Sequence, residues 1–373
     1  MAGIAGLLVS GEEKDSEIML QKMSEAIKHR KCEVFHTVKH NDSRCMIMGP
    51  RSTPSLDDEL IIVDRNEDLI QSKAKYNAES LPSLFSEVVV IVNESGVNLY
   101  RSLDGTRALF YGNLKRHFVF STEKKSLWNA GLTSVHTLSP GQRVTQTWDA
   151  KTDSGKFTSL EKMTSRDITR EETLAILEET LLGVFAKLRR NTPSAVLFSG
   201  GVDSSLAAVQ AAKRCKNTVL FTSSLEGAHD ESAATNAADL LGLRIHLVDM
   251  NTESIWDILP NVIYSIETSK QMDVEIAIPF YLAAKKAYEE RCTTIISGQG
   301  PDELFAGYAK HVQTYIEEGP DELARQLWYE VSITHEANIG RDDRAISAHG
   351  AESFFPFLDN QFVRTSLSIP IEW

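Results

Sequence analysis

Hydrophobic and polar positions alternate with a period of two through much of the first 148 residues. Such alternation predicts β-strands, because successive side chains of a strand point to opposite faces of a sheet. One helical pattern interrupts it at 17–28, where Met19, Met23 and Ile27 share a face. The pattern therefore predicts an α+β domain with packed antiparallel sheets. Examples of its predicted strands are 3–9, 59–64, 88–93, 98–101, 108–112 and 118–121.

The pattern changes after a polar stretch at 149–166, which predicts a linker between two domains, 1–148 and 167–373. In the second domain, helical segments alternate with short apolar strands at 195–198, 218–222, 244–248 and 293–297. This alternation predicts an α/β doubly wound parallel sheet that binds ligands at the carboxyl ends of its strands. The first helix carries an apolar stripe that consists of Leu174, Leu177, Leu181, Val184 and Leu188.

The predicted strand 195–198 ends in a run of small polar residues. Ser199, Gly200 and Gly201 follow it, and Asp203 and Ser204 open the next helical pattern. A strand that runs through small residues into a helix gathers free backbone N–H groups and the helix dipole at one point, which favours phosphate binding. Asp203 would repel a phosphate unless a divalent cation lay between them. The segment therefore predicts a site for pyrophosphate and magnesium.

A second strand ends in the same manner at residue 297. The segment 297–303 reads SGQGPDE and contains an acidic pair, Asp302 and Glu303. Because parallel strands end at one edge of their sheet, the two turns can face each other across one nucleotide. We expect Asp203 and Asp302 to be ligands of a magnesium ion on its phosphates.

Composition and charge narrow the classes of partner. The 373 residues carry a net charge of −13 without a basic stripe, which argues against nucleic acid. The sequence contains no apolar run of membrane-spanning length, and its first residues lack the basic segment of a signal peptide. The four cysteines stand far apart, as is usual for reduced thiols. We therefore expect a soluble, cytoplasmic enzyme that acts on small molecules.

The chain resembles the asparagine synthetase family in several segments. In the second domain these are SGGVDSS at 199–205, YSIET at 264–268, IPFYLAAKKA at 278–287, SGQGPDELFAGY at 297–308 and PFLD at 356–359. In the first, RSLDGTRALFYG at 101–112 and LSPGQ at 138–142 are similar to the family's glutamine-hydrolysing domain. The resemblance implies an α+β domain of the N-terminal-nucleophile type, followed by an ATP-pyrophosphatase synthetase domain. Ammonia from glutamine would react with an acyl-adenylate made from ATP and aspartate.

The resemblance also implies roles for single residues. Gln299 and Glu303 fall at candidate catalytic positions, and ATP and Mg²⁺ are the implied cofactors. The implied partners are ATP, an acidic amino acid and glutamine or ammonia, and the resemblance allows a homodimer. The residues implied to bind ATP are Phe198, Ser199, Gly200, Gly201, Asp203, Ser204, Ser223, Ser297 and Gly298.

The first domain departs from the family at its expected nucleophile. The family begins Met-Cys-Gly-Ile, whereas this chain begins with Met1, Ala2, Gly3 and Ile4. A methyl group cannot attack an amide, so we expect the glutaminase to be inactive with Ala2, whether that residue is natural or introduced. The family's Asn-Gly-Glu segment, which supplies an oxyanion donor, is not visible. Arg51 is the candidate for the arginine that binds the glutamine carboxylate.

The synthetase half departs as well. Gln299 is a neutral amide where the best-known members carry a glutamate. Glu275 stands where they have an arginine that would pair with a substrate carboxylate. We therefore expect Lys270 or Lys310 to take that role, or the substrate to present an amine there. The chain ends at residue 373, where typical members continue, which leads us to expect a divergent and shortened member.

Three functions remain open from the sequence. The first is an amide-forming ligase that adenylates a carboxylate, that of aspartate first of all, for attack by ammonia. The second is a β-lactam synthetase-like ligase, in which Ala2 would match an inactive N-terminal domain and another nucleophile would replace ammonia. The third is a non-catalytic nucleotide-binding homologue. Retention of both Asp203 and Asp302 argues against the third.

Overall fold

The computed structural model describes residues 2–10, 15–51, 59–64, 87–161, 168–225 and 228–371. Within these ranges the chain divides into two compact units, one up to Ser159 and the other from Leu160. The linker prediction is wrong over Thr152–Lys156, which form an edge strand of the first unit. This segment is polar because its side chains are exposed on that edge strand. Residues 162–166 of the predicted linker lie outside the described ranges.

Two antiparallel sheets form the first unit, with strand orders β2-β3-β1-β8-β7-β9 and β11-β10-β6-β5-β4 in the described ranges. The predicted strand 108–112 is observed two residues later, as β7. The helices of this unit are α1 (Ser16–Ala26) and α2 (Lys124–Asn129). Its strands are β1 (Ala5–Ser10), β2 (Val34–His40), β3 (Ser43–Gly49), β4 (Leu60–Val63), β5 (Val88–Asn93), β6 (Gly96–Arg101), β7 (Phe110–Leu114), β8 (His117–Ser121), β9 (His136–Thr137), β10 (Gln142–Thr147) and β11 (Thr152–Lys156).

The two sheets pack face to face over a shared apolar core. Leu8 and Phe120 of the first sheet join Val90 and Leu99 of the second in one buried cluster. On the other face of the first sheet, Met23 of α1 belongs to a separate cluster. Period-two alternation produces this arrangement, since each strand sends every second side chain into the core.

The second unit contains a sheet in which every observed pair of strands is parallel, with the order β14-β13-β12-β15-β16. Its strands are β12 (Ser194–Leu197), β13 (Thr218–Ser224), β14 (Ile245–Asp249), β15 (Thr294–Ser297) and β16 (Glu352–Phe354). Its helices are α3 (Arg170–Ala186), α4 (Val202–Arg214), α5 (His229–Leu241), α6 (Thr252–Ile266), α7 (Gln271–Glu289), α8 (Pro301–Leu304), α9 (Ala309–Glu318), α10 (Pro320–Thr334), α11 (Gly340–Ser347) and α12 (Asn360–Ser366). The sequence pattern did not predict β16.

Helices cover both faces of this sheet. Val196 and Ile296 pack in one cluster with residues of α3 and α4, whereas Ala195 and Ile295 pack in another with residues of α7. The parallel, doubly wound sheet predicted from the alternation is therefore present. One detail of the predicted α3 stripe is wrong, because the side chain of Leu174 is 59% exposed. Within the described ranges, the structure contains no helix with the length and apolarity to span a membrane.

The strand order reverses between β12 and β15. From β12 the chain adds β13 and β14 on one side, then returns to place β15 and β16 on the other. The connections on the two sides leave a crevice at the carboxyl ends of β12 and β15, which is where open α/β sheets bind ligands. The two motifs identified in the sequence follow these two strands.

Candidate active site

The turn after β12 depends on its backbone conformation. Gly200 has a φ of +79°, and a Cβ atom there would lie 2.8 Å from the carbonyl oxygen of Ala233, so only glycine fits. Helix α4 begins at Val202 without a side-chain hydrogen bond at its N-cap. The first N–H groups of any α-helix lack partners within the helix. Because no side chain caps them here, these groups remain available as donors, together with the positive end of the helix dipole.

Two hydroxyl groups fix the shape of this turn. The Oγ atoms of Ser199 and Ser204 lie 3.2 Å apart. The backbone N–H of Gly201 donates to Ser199 Oγ at 3.3 Å, and Ser204 Oγ donates to the carbonyl of Gly201 at 3.1 Å. The turn thus satisfies several of its own polar groups before any ligand binds.

Gly298, which follows β15, brings the second turn against the first. A Cβ atom at this position would lie 2.9 Å from the backbone nitrogen of Ser204 and 3.1 Å from its Cα. Real Cβ atoms do not approach backbone that closely. Glycine at 298 is therefore what allows the end of β15 to contact the start of α4.

Both turns open onto one cavity of about 410 Å³. The structure places most of the predicted ATP-binding residues in its lining. Gly200 and Gly201 belong to the same turn but are not part of the lining. The predicted residues that line the cavity are Phe198, Ser199, Asp203, Ser204, Ser223, Ser297, Gly298, Gln299 and Asp302.

Sequence reasoning assigned no role to the apolar wall of this cavity. It is formed by Leu197, Phe221, Pro279, Phe280 and Ala283. The last three lie on α7, in the segment IPFYLAAKKA, so the only signal for them was the family resemblance. Among these apolar groups lies Ser223, whose Oγ atom is buried without a hydrogen-bond partner in the described part of the chain.

The charge in the cavity is negative. Burial raises the pKa of Asp203, and the nearby charges of Asp302 and Glu303 raise it further. No basic side chain contributes to that pKa among the described residues. The same ranges contain no cluster of three or more His, Cys, Asp or Glu side chains able to hold a metal alone. A cation here would therefore be shared between the two aspartates and the ligand.

The structure places Glu303, a predicted catalytic residue, outside the cavity lining. Its buried carboxylate accepts a hydrogen bond from the Tyr308 hydroxyl at 2.8 Å and another from Asn338 Nδ2 at 3.2 Å. Burial and the neighbouring Glu303 charge raise the pKa of Tyr308. The side chain of Glu303 thus anchors the second turn to Tyr308, just before α9, and to Asn338, between α10 and α11.

Gln299 lines the cavity and contacts a residue that the sequence did not single out. Its Nε2 atom lies 3.2 Å from Oδ2 of Asp342 on α11, and Asp342 is fully buried. Burial raises the pKa of Asp342 to about 6, against the opposing effects of Arg341, Gln299 and Arg344. Asp342 lies 43 positions from Gln299, and no local pattern indicates the contact.

The structure also locates four other residues from the sequence predictions, two of them in each unit. Glu275 is exposed and accepts a hydrogen bond from Gln271 at 2.7 Å, and it does not line the cavity. Lys310 Nζ lies 2.7 Å from a carboxylate oxygen of Glu330, so the structure already pairs it. In the first unit, Ala2 is buried and Arg51 is exposed.

The family model described as asparagine synthase matches residues 177–321 and 315–373, which together include the parallel sheet and both turns. The chain therefore belongs to the asparagine synthase family.

Two relatives show how far the similarity extends. The "putative asparagine synthetase (glutamine-hydrolyzing) 1" of Methanocaldococcus jannaschii is 30% identical over 324 residues, which cover 83% of this chain and 60% of the relative. The asparagine synthetase of Sandersonia aurantiaca is 32% identical over 202 residues, which cover 51% of this chain and 38% of the relative. The chain thus spans well under the full length of either protein.

Among solved structures, the glutamine PRPP amidotransferase of B. subtilis, complexed with ADP and GMP, is 13% identical, with a TM-score of 0.33. The match covers 66% of this chain and 65% of that one. A likeness at this level decides nothing about the present chain.

Proposed function

We propose that the second unit is an ATP-dependent, amide-forming ligase that adenylates the side-chain carboxylate of aspartate and transfers the acyl group to ammonia. The observation that carries the proposal is the convergence of the two strand-end turns on one cavity at the strand-order reversal. Membership in the asparagine synthase family supports it.

Each part of the cavity has a task in this proposal. The backbone of 199–204 binds the pyrophosphate part of ATP through N–H groups at the start of α4. Phe198, Ser223, Ser297 and Gly298 border the nucleoside. The volume of about 410 Å³ falls within the range usual for small-molecule sites.

The residues present fit a magnesium ion. Two carboxylates, Asp203 and Asp302, lie near each other without a basic partner that lowers the pKa of Asp203, and hard oxygen ligands of this kind suit Mg²⁺. When bound, the ion would neutralise charge on the phosphates. The Gly298 contact holds the two turns together and thereby keeps both carboxylates at one site.

The chemistry proceeds in two transfers. A carboxylate oxygen attacks the α-phosphorus of ATP, the bond to the β-phosphate oxygen breaks, and pyrophosphate leaves. Nitrogen of ammonia then attacks the acyl carbon, the bond to AMP breaks, and the product amide loses a proton. The N–H groups and dipole of α4 stabilise the charge that develops on the departing pyrophosphate.

Replacement of Asp203 tests the ATP site. We expect Asp203→Ala to lower magnesium-dependent pyrophosphate release at least about 100-fold, because a preorganised charge-stabilising group is removed. The assay measures pyrophosphate with ATP, ammonia and a panel of acidic amino acids, and thus also identifies the acceptor. Asp321→Ala, which removes an exposed carboxylate from the first turn of α10, is the matched control. Equal turnover in Asp203→Ala and Asp321→Ala would refute the site.

For the first unit we propose that Ala2 leaves the chain without glutaminase activity, so that free ammonia is the nitrogen source. If Ala2 is an introduced residue, Ala2→Cys should restore glutamate production from glutamine, because it supplies a nucleophilic thiol. No recovery would instead support a natural loss of the activity, in line with the missing Asn-Gly-Glu segment. In the Ala2→Cys background, Arg51→Ala should raise the KM for glutamine about tenfold, the usual effect of losing a charge-assisted hydrogen bond. Glutamate production by the chain with Ala2 would contradict the proposal.

A further inference from the structure

The side-chain amide of Gln299 has a defined orientation. Its Nε2 atom donates to Oδ2 of Asp342, whose Oδ1 accepts a second hydrogen bond from Arg341 Nε at 2.7 Å. An ionised carboxylate can only accept, so it selects the nitrogen end of the amide. The carbonyl oxygen of Gln299 is then the end left for the cavity that this residue lines.

One helical segment holds both ends of the second turn. Between α10 and α11 lies a π-helical stretch, His335–Ile339, of a kind found frequently at functional sites. Asn338 of this stretch donates to Glu303, and four residues later Asp342 accepts from Gln299. The segment 299–303, which carries Asp302 between these two contacts, is therefore fixed from one side.

The chemistry of an amide oxygen limits what can lie against it. Phosphate and carboxylate oxygens only accept hydrogen bonds and would be repelled by the oxygen of Gln299. A group with N–H bonds is attracted.

We propose that Asp342 is a positioning residue, which turns the carbonyl oxygen of Gln299 toward the cavity as the acceptor for an N–H bond of the attacking ammonia. This inference rests on the proposed ligase function and assigns the nitrogen nucleophile to the Gln299 side of the site. Asp342 itself does not contact the reactants, since it is fully buried and lies outside the cavity lining.

Asp342→Asn tests the orientation. Because the guanidinium of Arg341 can only donate, the oxygen of the new asparagine stays on Arg341 and its Nδ2 faces Gln299, so the amide of Gln299 turns its oxygen toward residue 342 and away from the cavity. We expect the KM for ammonia to rise about tenfold, the effect of about one lost hydrogen bond. Exchange of pyrophosphate into ATP, which reports adenylation alone, should stay within about twofold of the unmodified chain. Asp343→Asn removes the adjacent buried carboxylate, which pairs with Ser353, and is the control.

A reciprocal exchange provides the rescue. In the double variant Gln299→Glu, Asp342→Asn, the new asparagine donates to the new glutamate, which still presents an oxygen to the cavity. The KM for ammonia should return to within about threefold of the original value. If Asp342→Asn folds poorly in a denaturation assay, Gln299→Met, which keeps the buried aspartate and removes the acceptor, should give the same tenfold rise.

The outcomes are distinct. No pyrophosphate exchange by the unmodified chain with any acid would refute the proposed function. Exchange that is present, with an ammonia KM unchanged in both Asp342→Asn and Gln299→Met, would overturn the positioning role alone. An equal fall of exchange and ammonia-dependent turnover in Asp342→Asn would also overturn it, since the contact would then serve adenylation or the fold.

Discussion

The two turns at the candidate site reach the same sheet edge by different means. The first, after β12, is shaped by Gly200 and by hydrogen bonds among its own residues, such as that between Ser199 and Ser204. The second, after β15, is held by side chains far along the chain, since Glu303 bonds Asn338 and Gln299 bonds Asp342. The hydrogen bonds that shape the first turn are thus local, whereas those that hold the second come from residues distant in the sequence.

This difference predicts how each turn responds to mutation. A change within the first turn should remain a local event, because Ser199 is exposed and water can replace its contacts. A change in the contacts of the second turn should affect stability, because Glu303 and Asp342 are buried and leave unsatisfied partners behind.

The largest effect is expected where the two turns touch. Gly298→Ala places a Cβ atom 2.9 Å from the backbone nitrogen of Ser204, and neither backbone can move without disturbing its turn. We expect the free energy of unfolding to fall by about 3 kcal/mol and pyrophosphate release to fall with it. The readouts are urea denaturation and the pyrophosphate assay. A fully stable, active variant would show that the contact is not required.

Gly183→Ala is the matched control for this change. Gly183 lies in α3, and a Cβ atom there would meet nothing within 4 Å. We expect the same Gly-to-Ala change to stabilise the chain by about 0.5–1 kcal/mol, because alanine loses less backbone entropy in a helix.

The sequence predicted the parts of the molecule that are local. Period-two alternation and helix–strand alternation predicted both sheet types, and the runs 199–204 and 297–303 predicted the turns that line one cavity. Pairing across long sequence separations was not predictable. Strand β16 lies 55 or more positions beyond β15 and has three residues, too few for a pattern. Asp342 escaped because 43 positions separate it from Gln299. Strand β11 pairs with its neighbour β10 and escaped because its side chains are polar and exposed.

The second largest effect is a pH dependence of stability caused by Asp342. Burial raises its pKa to about 6 from an ordinary value of 3.8, although Arg341, Gln299 and Arg344 act in the opposite direction. A raised pKa means that the folded state binds the proton of Asp342 more tightly than the unfolded state does. The stability that this proton contributes is therefore present at low pH and is lost as pH rises through about 6. The free energy of unfolding of Asp342→Asn, relative to that of the original chain, should therefore increase by on the order of 2–3 kcal/mol between pH 4 and pH 7.

The measurement is urea denaturation of both chains at intervals of pH across that window. Parallel stability curves would contradict the prediction and would mean that Asp342 is ionised through the whole range or that its burial is relieved in solution. The comparison removes the contribution of every other titrating group, because all of them are present in both chains.

A smaller effect is expected for the other anchor of the second turn. Glu303→Gln keeps the shape of the side chain and an acceptor for Tyr308 and Asn338, but removes its charge. We expect a loss of about 1–2 kcal/mol in the free energy of unfolding, because hydrogen bonds to charged groups are the stronger ones. The pKa of Tyr308 should fall, since Glu303 contributes to raising it. If a tyrosine titration shows no such fall, the charge of Glu303 does not act on the hydroxyl of Tyr308.

The smallest effect is expected in the first turn. Ser199→Ala removes a hydroxyl that accepts from the backbone N–H of Gly201 at 3.3 Å and lies 3.2 Å from Ser204 Oγ. Because Ser199 is exposed, water can satisfy both groups, and the free energy of unfolding should fall by no more than about 0.5 kcal/mol. Ser204→Ala, at a buried position that also bonds the carbonyl of Gly201, should cost about 1 kcal/mol. A loss in Ser199→Ala as large as that in Glu303→Gln would show that the first turn, too, depends on contacts beyond its own residues.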